Sequence, residues 1–248
     1  MRQASVGFHC PECTARGAQR VHTARSLIPS GRAVVTPVLV VLNLVVFMLD
    51  LPSATTTGIG ELGADGALYG PNVAAGDWWR PLTAGFVHAG FVHVGFNMFL
   101  LWMLGQLIEP AIGRVGFVAL YVVSLLGGSF LVLVLTNDSL TVGASGAVFG
   151  LMGATFVGMR ARGINPFNTG IGPLLVLNLI LTFVIPGISI GGHIGGLVAG
   201  TAAGWLFFEV APRIHAGQLV ATLLCAAAAG GLYLACLEVA QPGPLLPS

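Results

Sequence analysis

The chain has 248 residues, of which 55% are hydrophobic and only 8% carry a charged side chain. Soluble domains average about 25% charged residues, so this composition cannot cover the surface of a water-soluble protein. The net charge of +1 argues against a nucleic-acid-binding protein with a basic surface. The presence of only four cysteines argues against a disulfide scaffold. The high hydrophobicity excludes a disordered chain. The composition therefore predicts an all-α polytopic membrane protein, with the lipid bilayer as its surroundings.

From Ala33 onward, apolar runs alternate with short polar breaks and predict seven membrane-spanning helices. The second helix is predicted to end at Glu109-Pro110, and a polar, Gly-rich loop is predicted over Pro52–Ala84. An alternative has six spans, with 219–239 as a peripheral helix. The seven predicted ranges are Ala33–Leu51, Phe91–Ile108, Val115–Leu135, Gly143–Met159, Gly172–Ile185, Gly192–Val210 and Leu219–Val239.

The arginines indicate how the chain is oriented. With the N-terminus in the cytoplasm, nine of the ten basic residues fall on the cytoplasmic side, and only Arg80 lies outside. Cytoplasmic loops of membrane proteins carry such an excess of positive charge. We therefore expect a multi-pass protein of a cell membrane with its C-terminus outside. Its expected domains are a cytoplasmic segment (1–33), a transmembrane core (34–211) and a further helix with a tail (212–248).

Four polar residues stand out within the predicted spans, where such groups are costly and often functional. His93 and Asn97 lie in the first half of the second helix, Ser145 begins the fourth, and His193 begins the sixth. All three helices run from outside to inside in the predicted topology. The four side chains are therefore expected at one depth, below the outer surface.

Small residues recur every fourth position along two of these helices. Such spacing lets membrane helices pack backbone to backbone, and if the two stripes face each other, Ser145 and His193 come within side-chain reach. Ordinary helix packing without any chemistry is the alternative interpretation. The stripes are Gly192, Gly196, Gly200 and Gly204 in the sixth helix, and Gly146, Gly150 and Ala154 in the fourth.

A serine beside a histidine can perform nucleophilic catalysis, the histidine acting first as base and then as acid. No acidic residue is forced to this depth, so Ser145 and His193 predict a dyad rather than a triad. His93 and Asn97 share one helix face and can stabilise a developing oxyanion. A buried polar pair without catalytic function is the alternative for these two residues.

The motifs around these residues resemble the rhomboid family of intramembrane serine proteases, of bacterial type. Glu109 and Gly113 match the end of the family's second helix, and Trp79-Arg80 matches a pair in its first loop. The longer matching stretches are Phe86-Val87-His88 through His93 to Phe96-Asn97-Met98, Gly143-Ala144-Ser145-Gly146, and Gly192-His193-Ile194-Gly195-Gly196-Leu197-Val198-Ala199-Gly200. The resemblance covers residues 35–210 and implies a six-helix transmembrane bundle, to which residues 219–239 would add a seventh helix.

The resemblance implies roles for the residues of the site. Ser145 would be the nucleophile and His193 the base. His93, Asn97 and the backbone N–H of Ser145 would form the oxyanion hole, and Gly143 would keep the backbone open beside the nucleophile. No metal or other cofactor is expected to take part in catalysis.

Five further residues would support the site, according to the same resemblance. Phe149 would pack on the catalytic imidazole, and His88 would help to shape the route of water into the site. Trp79 and Arg80 would brace the first loop, and Glu109 would be a structural anchor at the cytoplasmic end of the second helix.

A regular helix shields its carbonyl groups from attack, so the substrate must present an extended segment at the scissile bond. The expected substrates are therefore single-span membrane proteins with helix-weakening Gly, Ser or Pro near the outer face, where they are cleaved. The fifth helix and the loop Pro186–Gly191 would form a lateral gate and a cap. Two other functions fit a fold of this kind: a non-catalytic scaffold that binds transmembrane helices, and a transporter. The inverted repeats that are common in transporters are not found in this sequence.

The N-terminal segment contains a Cys-x-x-Cys pair, Cys10 and Cys13. Such a pair is half of a zinc-ribbon site, and some relatives of the family carry a module of this type. We hypothesise a structural zinc site whose other half lies upstream of the given start. A free cytosolic cysteine pair is the alternative.

Overall fold

The structure is a computed structural model that describes Arg2–Gln3, Phe8–His9, residues 32–54 and residues 58–241. The chain divides into two units, Met1–Ser30 and Gly31–Ser248. In the first unit, strands β1 (Arg2–Gln3) and β2 (Phe8–His9) pair antiparallel. The described residues of the second unit fold into helices, which confirms the predicted all-α membrane fold.

The helices of the second unit follow the predicted order along the chain. The helix Ile190–Trp205 continues through a π-helical turn, Leu206–Val210, into a 3₁₀ turn, Ala211–Arg213. Further 3₁₀ turns lie at Leu51–Ser53, Ala84–Phe86 and Pro166–Asn168. In chain order the helices are α1 (Val35–Asp50), α2 (Glu61–Gly66), α3 (Gly70–Ala74), α4 (Arg80–Thr83), α5 (Gly90–Ile112), α6 (Arg114–Leu135), α7 (Ser145–Ala161), α8 (Ile171–Val184), α9 (Ile190–Trp205) and α10 (Gly217–Val239).

Each of the seven predicted spans corresponds to a helix, but the helices differ in length. Among the described residues, five segments are long and apolar enough to cross a bilayer. Helices α7 and α8 are shorter, with 17 and 14 residues, and only the former reaches the usual minimum of about 17. The five longer segments are Val35–Ser53, Gly90–Ile112, Arg114–Leu135, Ile190–Arg213 and Gly217–Val239.

The predicted end of the second span is wrong, because α5 runs through Pro110 to Ile112. Proline lacks a backbone N–H and so removes one helical hydrogen bond, a small loss this close to a helix end. The helix ends instead at Gly113, whose φ of 80° lies in the left-handed region that glycine adopts readily.

The region predicted as one polar loop, Pro52–Ala84, contains the short helices α2 to α4. Asp50 explains the first of them, because its carboxylate accepts the N–H groups of Gly60 and Gly63 at 2.8 and 2.7 Å. These N–H groups lie at the start of α2 and have no partner within the helix. The cap is distant in sequence, so local composition does not reveal the helix.

Helices α1 and α8 show the distribution expected of a protein surrounded by lipid. Val38 and Leu49 on α1 and Phe183 on α8 are exposed, whereas Asn43 on α1 and Asn178 on α8 are buried. In a soluble protein, polar groups would face outward. Here they face the protein interior, where they can find partners.

Close backbone contacts hold the centre of the bundle together, where α9 packs between α6 and α7. We call the contact between α7 and α9 the glycine seam: Gly146, Gly150 and Ala154 of α7 face Gly196, Gly200 and Gly204 of α9. A Cβ atom added at Gly204 would lie 2.6 Å from the Cα of Ala154, and one at Gly196 or Gly200 would overlap the backbone of Gly146 or Gly150. The two stripes thus face each other, which is the condition under which their spacing brings Ser145 and His193 together.

Candidate active site

Ser145 is the first residue of α7 and is partly exposed. Its backbone N–H has no partner within the helix, because the first N–H groups of a helix lack preceding carbonyls. Gly143, two residues earlier, has a φ of 120°, a value that residues with side chains rarely adopt. The sequence therefore places a hydroxyl and a free N–H together at a sharp turn into the helix.

His193 lies in the first turn of α9 and is 9% exposed. The side chain of Ser189 caps this helix by accepting the N–H of Gly192 at 3.1 Å, as N-cap serines typically do. The ring of Phe149 stacks on the imidazole, with 4.0 Å between ring centroids and 21° between planes. The cap and the stacked ring together fix where the imidazole lies.

The glycine seam reaches the two helix ends that carry Ser145 and His193. A Cβ atom at Gly146, the residue after Ser145, would lie 3.2 Å from the carbonyl oxygen of Gly192, the residue before His193. Backbones this close leave no room for an intervening side chain. The structure therefore brings the first turns of α7 and α9 together, as the spacing of small residues predicts.

His93 of α5 lies next to Gly143. A Cβ atom at Gly143 would lie 2.6 Å from His93 Nε2, so any larger residue would displace the imidazole. The Ala89 N–H donates to His93 Nδ1 at 3.3 Å. A neutral imidazole that accepts at one nitrogen carries its hydrogen on the other, so Nε2 is a donor directed toward the turn before Ser145.

Asn97 is one turn further along α5 and is 4% exposed. Its Nδ2 donates to the carbonyl oxygen of His93 at 2.9 Å, which uses one of the two amide hydrogens. The other hydrogen remains for a second acceptor. His93 and Asn97 thus lie on one face of α5, as their spacing predicts.

His88 is 1% exposed and supports the turn that precedes Ser145. Burial, and secondarily the nearby imidazole of His93, lowers the pKa of His88 to about 3, so its ring is neutral. Its Nε2 accepts the N–H of Ala144 at 3.3 Å. The structure thus shows His88 holding the backbone, and its effect on the route of water stays a prediction.

Trp79 and Arg80 contact the first loop. Arg80 is 4% exposed, pairs with Asp77 at 2.7 Å, and donates to the carbonyl oxygens of Ala64 and Ala67 at 2.8 Å each. The indole of Trp79 donates to the carbonyl oxygen of Asp65 at 3.2 Å. One buried guanidinium thereby ties the end of α2 to the start of α4.

Glu109 lies at the opposite end of α5 from His93 and caps the first helix. Its carboxylate accepts the N–H groups of Val34, Val35 and Thr36 at 2.6 to 2.8 Å, together with the hydroxyl of Thr36 at 2.8 Å. Negative charge is favourable at a helix N-terminus. Glu109 therefore joins α1 to α5 and is remote from Ser145.

Thr182 is a residue of this site that the sequence analysis misses. Its Oγ1 lies 2.7 Å from His193 Nδ1, and the side chain is 2% exposed. Asn178 and Thr182 are four residues apart in an otherwise apolar helix. That spacing of polar groups on one face is the signal that could have identified them.

The Cys-x-x-Cys pair lies outside the described residues, as Cys10 and Cys13 are not among them. The zinc hypothesis therefore stays a prediction. Within the described residues, no group of three or more His, Cys, Asp or Glu is placed to hold a metal ion.

Known proteins match this chain over the helices that carry the site. The family model of the rhomboid domain matches residues 75–210. Rhomboid protease GluP of Bacillus subtilis is 32% identical over 215 residues, which are 85% of this chain and 42% of that protein.

Two eukaryotic relatives match shorter stretches. RHOMBOID-like protein 6, mitochondrial, of Arabidopsis thaliana is 31% identical over 48% of this chain and 49% of its own length. Rhomboid-like protease 1 of Toxoplasma gondii is 37% identical over 50% of this chain and 45% of its own length. The chain thus spans less than half the length of each of these relatives.

Proposed function

Because the chain belongs to the rhomboid family, we propose that it is an intramembrane serine protease with Ser145 as nucleophile and His193 as general base. The observation that carries this proposal is the backbone contact between Gly146 and Gly192. It joins the helix turn that begins with Ser145 to the helix turn that contains His193. Two relatives with protease in their printed names support the same activity.

In the proposed first step, Ser145 Oγ attacks the scissile carbonyl carbon while its proton passes to Nε2 of His193. The tetrahedral intermediate then collapses, the C–N bond breaks, and the leaving amine takes that proton. Water repeats the sequence on the acyl-enzyme, again with His193 as base. A cavity of about 20 Å³ beside Ser145, lined also by Ser129 and Ser189, has room for about one water molecule.

The negative charge that develops on the carbonyl oxygen needs donors already in place. We assign His93 Nε2, the free amide hydrogen of Asn97 and the backbone N–H of Ser145 to this oxyanion hole. Three observations support the assignment: the Nδ1 of His93 is occupied by the Ala89 N–H, Gly143 leaves space beside Nε2, and Ser145 begins a helix.

We propose single-span membrane proteins as substrates, cleaved near the outer membrane face. The arginine distribution supports this orientation, with the N-terminus in the cytoplasm and the C-terminus outside. In that orientation α7 and α9 both begin on the outer side, so Ser145 lies where water can reach it. We propose α8, whose exposed face is apolar at Leu177, Ile180 and Phe183, as the lateral gate through which the substrate reaches the site.

The test is cleavage of a tagged single-span protein by the purified chain in liposomes. Ser145→Ala and His193→Ala should each lower the rate by roughly 10⁴-fold or more, because nucleophile and base act as a unit. Ser139→Ala and His215→Ala, at exposed loop positions, are matched controls and should cleave at the wild-type rate.

The proposal fails if the folded wild type and the Ser145→Ala variant cleave the substrate equally. It also fails if the wild type binds the substrate without cleaving it, which is the behaviour of a scaffold. Cleavage that only a metal chelator stops would indicate a metal-dependent mechanism and would also contradict the proposal.

A further inference from the structure

The hydroxyl group of Thr182 joins α8 to the imidazole of His193. Thr182 Oγ1 lies 2.7 Å from His193 Nδ1, and both side chains are buried. Among the described residues, Thr182 is the one hydrogen-bond partner that the His193 side chain has. The contact therefore decides which nitrogen of the ring carries the hydrogen.

The direction of this bond follows from the second partner of Thr182. Its Oγ1 also lies 2.7 Å from the carbonyl oxygen of Asn178. A carbonyl oxygen can only accept, and a hydroxyl has a single hydrogen, so that hydrogen goes to Asn178. Thr182 Oγ1 must then accept from His193, and Nδ1 of the neutral ring must carry the hydrogen.

An imidazole with its hydrogen on Nδ1 has a free electron pair on Nε2. This is the form that a base needs in order to take the proton of Ser145, and the orientation of the ring is set by the same bond. We propose that Thr182 is a positioning residue that holds His193 in this tautomer and orientation. This inference rests on the proposed function, because it assigns a task to the base of that reaction.

A neutral hydroxyl performs only part of what an aspartate does in a triad. It selects the tautomer and the ring orientation, but it brings no charge to stabilise the imidazolium that forms during the reaction. Because Thr182 belongs to α8, the bond also requires α8 to lie against α9. The proposal therefore links the state of the base to the position of that helix.

A purely local role for Thr182 is the competing explanation, since threonines within helices often bond the carbonyl four residues earlier. Thr155 on α7 shows that behaviour: its hydroxyl donates to the carbonyl of Leu151 at 2.8 Å, and it is buried to a similar degree. Thr155→Val is therefore a matched control for Thr182→Val. Each variant loses a hydrogen bond to the carbonyl four residues earlier, but only Thr182→Val also loses a contact with an imidazole.

The experiment measures the rate at which a fluorophosphonate labels Ser145, together with the ¹⁵N spectrum of the His193 ring. Thr182→Val should slow labelling roughly tenfold, the factor for losing one hydrogen bond that orients a reacting group. The ring should change from one tautomer, with hydrogen on Nδ1, to a mixture. Thr182→Ser should restore both readouts, and Thr155→Val should leave both unchanged.

The inference is overturned if Thr182→Val labels at the wild-type rate or keeps the single Nδ1–H tautomer. If Thr182→Val does not fold, Thr182→Ala replaces it with the same expected outcomes. Failure of the proposed function has a different signature: the wild type is not labelled, or Ser145→Ala is labelled equally. The ring spectrum still decides the tautomer in that case.

Discussion

Helix α9 meets its neighbours α7 and α8 in two different ways. Toward α7 it presents glycines, and a Cβ atom at Gly196 or Gly200 would overlap the opposite backbone. Toward α8 it makes a side-chain contact, in which Thr182 Oγ1 lies 2.7 Å from His193 Nδ1. The first contact has no freedom to adjust, whereas the second can break when one hydroxyl moves.

The two contacts of α9 perform different tasks in the site: one sets the distance between helices, and the other sets the orientation of a side chain. The glycine seam fixes the distance between the helix turns that carry Ser145 and His193, because main-chain atoms in contact cannot slide without overlap. The bond from Thr182 fixes the orientation of the imidazole that the seam has brought into place. Within the site, stability should therefore depend on the seam, and activity should depend on the polar contacts of His193 and Asn97.

The largest effect should come from breaking the seam. Gly200→Leu places a branched side chain against the backbone of Gly150, and overpacking of this kind costs about 3 kcal/mol or more. We expect loss of folded protein in detergent, measured by thermal unfolding. Gly230→Leu on α10, where a Cβ atom would meet nothing within 4 Å, is the control. Equal unfolding temperatures for the two variants would show that the seam is not tight.

A smaller effect, confined to activity, should follow from Asn97→Ala. The Asn97 amide bonds the carbonyl of His93 within its own helix, so it joins no two helices. Loss of one oxyanion-hole donor lowers kcat by roughly 10²- to 10³-fold, and the thermal unfolding midpoint should change little. A variant that unfolds early but cleaves normally would reverse the proposed division between stability and activity.

The smallest effect should come from Glu109→Gln, at the far end of the bundle. The carboxylate accepts three N–H groups and one hydroxyl from the start of α1, and glutamine supplies a single acceptor oxygen. We expect a loss of about 1–3 kcal/mol in stability, measured by denaturant unfolding. Glu238→Gln, at an exposed position of α10, should be neutral. If the activity of Glu109→Gln falls while its stability is unchanged, Glu109 contributes to the reaction and is not only a structural contact between α1 and α5.

The seam could be predicted from sequence because its signal is periodic. Small residues four positions apart mark a contact face in any membrane helix, and the observed pairs Gly196–Gly146 and Gly200–Gly150 follow from that spacing. The proximity of His93 to Gly143, two residues before Ser145, follows from the predicted topology, in which the second and fourth spans both begin on the outer side. Both predictions need only helix geometry and the number of spans.

The contacts of Thr182 and Glu109 could not be predicted in the same way. The spacing of Asn178 and Thr182 marks a polar face of α8, but threonine within a helix usually bonds its own backbone, so the sequence does not identify His193 as the partner. The resemblance implied an anchor at Glu109, but its partners Val34 to Thr36 lie 73 to 75 residues away. Such contacts depend on how whole helices are arranged, which local patterns do not contain.

The short helices α2 to α4 could not be predicted from the sequence either, for a third reason. Asp50 caps α2 from 10 and 13 residues away, and Arg80 bonds carbonyls 13 and 16 residues earlier. Helices this short are unstable alone, and their composition is that of a loop. Tertiary contacts from buried charged groups therefore stabilise α2 and the start of α4.

The most direct test of the account is to identify the residue that a fluorophosphonate labels in the purified protein, by peptide mass spectrometry. The account predicts labelling of Ser145, near-complete loss of labelling in His193→Ala, and a wild-type rate in His215→Ala. It is contradicted if the label falls on another serine, or if folded His193→Ala is labelled as fast as the wild type.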